Sequence, residues 1–129
     1  MRSLTRLLLC AVLGAAPFAA RAATFKPYTD TTFAAAEKAD APMLIDIAAP
    51  WCPTCQAQKK IIRHLATSPA FRHLLILHVS FDHQKDVVRA FGATMQSTLI
   101  AMHGRHLRAA SVGETGTKAI AALLDKAMR

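Results

Sequence analysis

Two cysteines three positions apart, Cys52 and Cys55, stand in the run Trp51-Cys52-Pro53-Thr54-Cys55. A pair at that spacing can exchange a disulfide with another molecule, hold a soft metal ion, or form an inert bridge. Zinc usually takes four ligands, from a second cysteine pair or from spaced histidines. His64, His73, His78, His83, His103 and His106 supply no zinc-finger pair at the usual distance after the cysteines. An inert bridge across two intervening residues removes little chain entropy from the unfolded state, so it is a poor staple. The position of the pair favours exchange chemistry, because it follows a short apolar run and precedes a helical pattern. Placed there, Cys52 lies at a helix N-terminus, where unpaired N–H groups and the positive dipole end favour a thiolate. Cys55, one turn on, shares that face and can attack a mixed disulfide formed at Cys52. Pro53 suits the first turn, which needs no N–H from it. Cys52 is the candidate nucleophile and Cys55 the candidate resolving cysteine.

The elements that must hold this pair can be traced on both sides. Thr24 to Tyr28 reads as a short strand, and Thr31 or Thr32 can cap a helix over Phe33 to Ala39. Met43 to Ala49, a short and mostly apolar run bounded by prolines, has the signature of a buried strand. After the cysteines, Ala57, Ile61 and Leu65, with Ile62 beside them, predict one apolar helix face. Ser68-Pro69 opens a further short helix, and Leu74 to Phe81 is a second buried strand. Asp82 or His83 starts a helix over Lys85 to Phe91 that Gly92 ends. Thr98 to Met102 and Leu107 to Val112 form a hairpin around His103-Gly104. Thr117 caps a last helix with Ala119, Ile120, Leu123, Leu124 and Ala127 inward. The order β-α-β-α-β-α-β-β-α predicts an α/β fold: one central mixed β-sheet flanked by α-helices on both faces.

The front of the chain reads as an address. Met1 to Arg6 is basic, Leu7 to Ala20 is an apolar run, and Ala20-Arg21-Ala22 offers small residues for cleavage. Residues 1–22 are expected to be a signal peptide and 23–129 the domain. The alternatives are an uncleaved inner-membrane anchor facing the periplasm, for which the run is short and broken by Pro17, and lipidation at Cys10, which bulky Leu9 disfavours. Cleavage after Ala22 removes Cys10 and leaves Cys52 and Cys55 as the whole cysteine inventory, in a compartment where disulfides persist. It also removes three arginines, lowering the net charge from +8 to +5. The remaining charge is scattered apart from Lys59, Lys60 and Arg63, so nucleic acid is not an expected partner.

The stretch Leu44 to Cys55, LIDIAAPWCPTC, resembles the strand and active-site turn of the thioredoxin-like family, and the resemblance covers almost all of Thr24 to Arg129. It implies the thioredoxin-like fold. It places Asp46, six residues before Cys52, as the carboxylate that assists proton transfer at the resolving cysteine, and Trp51 as the family's tryptophan. Phe91-Gly92-Ala93 and the strand from Thr98 match the lead-in to the loop that normally carries a cis-proline. Ser97 stands in that place. A non-proline cis bond costs about 2.5–4 kcal/mol, so a trans bond is expected. The Ser97 hydroxyl could bond the Cys52 thiolate or only cap the strand. Lys60 replaces a kinking proline, and His78 stands where a lysine often lies near the buried acid. Asp46 and His78 are therefore expected to share a proton path to Cys55, and the other five histidines to lie on the surface.

The chain looks like the small exported thioredoxin-like proteins of bacteria. The resemblance implies a monomeric, periplasmic protein-disulfide oxidoreductase whose active centre is the Cys52–Cys55 disulfide. It would reduce protein disulfides and be recharged by a membrane thiol-disulfide transporter. Trp51, Pro53, Thr54, Gln96 and Ser97 would form the substrate-docking surface. No cofactor beyond the dithiol and no metal is expected. The alternatives are a copper chaperone with Cys52 and Cys55 as soft ligands, aided by Met95 or a histidine, and an oxidase or isomerase of protein thiols.

Overall fold

The computed structural model describes residues 22–129. The expected signal peptide and Cys10 lie, except for Ala22, outside the described residues. In chain order the elements are β1 (Thr24–Pro27), α1 (Asp30–Lys38), β2 (Pro42–Ala48), α2 (Pro53–Leu65), a single 3-10 turn (Pro69–Phe71), β3 (Leu75–Ser80), α3 (Lys85–Ala90), β4 (Thr98–His103), β5 (His106–Val112) and α4 (Thr117–Ala127). None of these helices is long and apolar enough to cross a membrane.

The five strands form one mixed sheet in the order β1-β3-β2-β4-β5. β1, β3 and β2 run parallel, while β4 is antiparallel to β2 and β5 to β4. β2 is central because its residues are apolar on both faces, with Met43, Leu44, Ile45 and Ile47 fully buried. Each such side chain contributes about 1.5–3 kcal/mol relative to an exposed one. Strand alternation sends Leu44 into the layer under α2 and α4, with Ile62, Ile76, Leu99 and Leu124. Met43, Ile45 and Ile47 enter the opposite layer, under α1 and α3, with Leu77, Val79 and Ile100. By the same alternation Asp46 emerges on the α2 side, beside His78 in register on β3.

Several local expectations are corrected. Thr29, not Thr31 or Thr32, caps α1, its side chain accepting from the Thr32 N–H at 3.0 Å. Ser68-Pro69 opens only the 3-10 turn. α3 begins after Gln84, and Gly116 rather than Thr117 holds the N-cap of α4. Ala119 is exposed, leaving Ile120, Leu123, Leu124 and Ala127 as the inward face. On α2 the buried residues are Cys55, Gln58 and Ile62, so the inward face is rotated from the Ala57-Ile61-Leu65 line. His103 is not a surface histidine: its Nδ1 donates to the Ala127 carbonyl at 2.7 Å, satisfying a free carbonyl in the last turn of α4. The hairpin turns at Gly104, where φ is +52° and a Cβ would collide with Asp40.

Candidate active site

β2 ends at Ala48 and α2 begins at Pro53, so the link between them delivers Cys52 to the N-cap of α2. Pro53 is pre-set for the first helical position. Cys52 and Cys55 are joined by a disulfide, with Cα atoms 5.3 Å apart. The Cys52 sulfur also caps the helix, accepting the Cys55 N–H at 3.1 Å. A donor so placed favours negative charge on Cys52 Sγ once the disulfide opens. Both residues are nearly enclosed, at 2% and 4% exposure, in a small cluster with Ala48, Ala49 and Phe81. The sequence identifies Phe81 only as the end of an apolar strand. In the fold its N–H bonds the Ala48 carbonyl at 2.9 Å and its ring backs the dithiol.

Trp51 is 58% exposed, and its indole N–H donates to the Asp82 carboxylate at 2.9 Å. Asp82 therefore does not start α3; it fixes the ring beside the cysteines. Pro53 is exposed, Thr54 half-buried, and the Gln56 amide bonds the Pro50 carbonyl at 3.3 Å.

Behind the cysteines, α2 and the β1–β3–β2 edge enclose a cleft of about 520 Å³ lined by Cys55, Asp46, His78, Lys59 and Arg63, among others. Asp46 and Cys55 thus open onto one space. Asp46 Oδ2 lies 3.7 Å from His78 Nδ1; the carboxylate is half-buried and the imidazole largely exposed.

The loop before β4 reaches the same end of the sheet, because Thr98 pairs with Ile47. Among the described residues no peptide bond is cis, and Ser97 follows a trans bond as expected. Ser97 is buried with φ at +57°, a left-handed conformation that costs a non-glycine residue about 1–2 kcal/mol. Its hydroxyl donates to the Gln96 carbonyl at 2.6 Å rather than to Cys52. Gln96 is half-buried, and Met95 beside it is exposed. A residue absent from the sequence reading also converges here: fully buried Gln58 on α2 donates to the carbonyls of Ser97 and Glu114 at 3.2 and 2.9 Å. Its polarity and its place off the apolar line hide it in the sequence. Among the described residues no three His, Cys, Asp or Glu side chains gather as a metal site.

The thioredoxin family model matches residues 24–126. The chain belongs to the thioredoxin family. It is similar to Trxlp from Edwardsiella tarda EIB202, at 37% identity over 78% of this chain and 98% of that one, with a TM-score of 0.76. It shares the fold of Malassezia sympodialis thioredoxin, at 18% identity over 83% and 93% of the two chains and a TM-score of 0.70. It also shares that of a mutant thioredoxin from Halobacterium salinarum, at 17% over 84% and 92% and a TM-score of 0.68. A comparison with curated proteins gave no match. This thioredoxin-like chain is a redox protein whose Cys52–Cys55 pair forms a disulfide, which supports thiol-disulfide oxidoreductase chemistry.

Proposed function

We propose that this chain is an exported, periplasmic reductase of protein disulfides. The observation that carries the reading is the redox pair at the start of α2, with Cys52 Sγ on the Cys55 N–H and Cys55 sharing a cleft with Asp46. The reduced Cys52 thiolate attacks a substrate disulfide. One substrate sulfur leaves as a thiolate, and the other is held on Cys52. Cys55 then gives its proton to Asp46 and attacks Cys52 Sγ, expelling the second substrate sulfur. Two electrons have passed to the substrate, and the Cys52–Cys55 bond remains. His78, 3.7 Å from Asp46 and open to solvent, carries the proton outward. A membrane thiol-disulfide transporter restores the dithiol. Trp51, Pro53, Thr54, Gln96 and Ser97 form the docking surface, where a substrate strand pairs with the backbone.

Reduction rather than oxidation is supported by the Pro53-Thr54 pair, similar to that of some reducing proteins of cytochrome c maturation, and by the element order, which among the described residues carries no large inserted helical subdomain. The deciding measurement is the reduction potential of the Cys52–Cys55 pair, read through Trp51 fluorescence in redox buffers. A value near about −270 mV agrees with a reductase, and one near about −120 mV makes the protein an oxidant. Insulin reduction by wild type, lost in Cys52→Ser, is also expected; tight copper binding without turnover would replace this reading with the metallochaperone.

A further inference from the structure

Gln58 is a costly residue for its position. A buried amide is tolerated when its groups find partners. Here Nε2 has two, but Oε1 has none. An aliphatic side chain would fill the space without stranding that acceptor, so the amide is better explained by what its N–H groups hold. Both bonds end on backbone carbonyls of separate loops, Ser97 before β4 and Glu114 before α4. The Ser97 carbonyl also accepts the Gly113 N–H at 2.9 Å. Two donors on one carbonyl occupy both its lone pairs and fix the orientation of its peptide.

That peptide lies at the end of the sheet that carries the dithiol. Gln58 is one turn beyond Cys55 on the same buried face of α2. Thr98, next to Ser97, pairs with Ile47 on one side and Val112 on the other. Trp51, Met95 and Val112, three of the exposed large apolar side chains, therefore share this end of the sheet. With Ser97 trans and at positive φ, proline cannot be what shapes the loop. We propose that Gln58 is a positioning residue: through the Ser97 carbonyl it holds the Met95–Ser97 backbone in the conformation that an extended protein segment pairs with beside Cys52. This inference rests on the oxidoreductase reading.

The test compares wild type and Gln58→Met, an apolar residue of similar length, with dithiothreitol as reductant for insulin turnover and with pre-reduced protein, freed of dithiothreitol, for a single turnover of the small disulfide. Substrates are insulin and the small disulfide dithiobis(nitrobenzoate), which needs no strand pairing. The expected result is a KM for insulin raised about tenfold, with kcat and the rate on the small disulfide within about twofold and the Cys52–Cys55 potential unchanged. An unchanged KM for insulin, or equal slowing on both substrates, overturns the inference while leaving the oxidoreductase reading intact. A wild type inert toward insulin overturns both. Native-state hydrogen exchange on wild type reads the clamp without any substitution. The Gly113 N–H should be protected to within about tenfold of the β2 amides; exchange at the rate of an open loop overturns the proposal.

Discussion

At the scale of single residues, the Cys52 sulfur has a structural task besides its chemistry, because it is the side chain that accepts the Cys55 N–H at the start of α2. The two tasks separate by substitution. Cys52→Ser keeps an acceptor and Cys52→Ala does not, so both should lose turnover, while the alanine variant should be less stable by about 1 kcal/mol in denaturant unfolding. Equal stabilities would mean that the sulfur contributes nothing as a cap. Asp46 calls for a different experiment. It opens onto the same cleft as Cys55 and lies 3.7 Å from His78. On the mechanism proposed above, Asp46→Asn removes the acceptor for the Cys55 proton, so the mixed disulfide on Cys52 should persist longer in single-turnover traces, with the first attack little changed. Resolution at the wild-type rate, with the same pH dependence, would remove Asp46 from the mechanism.

At the scale of elements, what can be read in sequence depends on whether the deciding contacts are local. β2 and β3 are legible because short runs so rich in apolar residues have few places to go except strands buried over most of both faces. The hairpin is legible because Gly104 meets a conformational demand, the +52° φ beside Asp40. Cys52 and Cys55 stand out because the motif and its spacing lie in one short stretch, and Asp46 only through the resemblance to the thioredoxin family. Caps are harder to place: Thr31 and Thr32 are the candidates on paper, whereas the helix geometry selects Thr29. The roles of Phe81, Asp82 and Gln58 are hidden because their partners lie far along the chain, Trp51 being 31 positions from Asp82 and Glu114 being 56 from Gln58. The loop before β4 shows how a family pattern and a local conformation can conflict. Ser97 sits at φ +57°, whereas proline fixes φ near about −65°. Ser97→Pro, which restores the family residue, should therefore destabilise the protein by about 1–3 kcal/mol in denaturant unfolding. A neutral or stabilising substitution would show that the loop readily changes conformation.

At the scale of the whole molecule, the sheet divides the core into two layers, and the layer away from the cysteines is held partly by a ring cluster of Tyr28, Phe33 and Phe91, with Phe91 edge-on to both others. Burial, followed by the negative charges of Asp30 and Glu37, pushes the Tyr28 phenol above its usual value of 10.0. The native state then holds this proton more tightly than the unfolded chain does. Its stabilising contribution is complete below the unfolded value and is lost as pH rises through the native one. Tyr28 is the only tyrosine, so the phenolate absorbance titration reports it directly; a midpoint at or below the free-tyrosine value would contradict the packing described. The strand order has a consequence in time as well as in space. β2 is central but pairs with β4, whose Thr98 lies opposite Ile47 and far beyond it in sequence. Contacts of such long range form late, since the intervening chain must first be ordered. A chain halted at Ala93 holds the complete Trp51–Cys55 motif but neither Ser97 nor the Glu114 carbonyl. During synthesis the two cysteines are made before β4, which pairs beside β2, so this end of the sheet is complete only when the C-terminal segment has arrived.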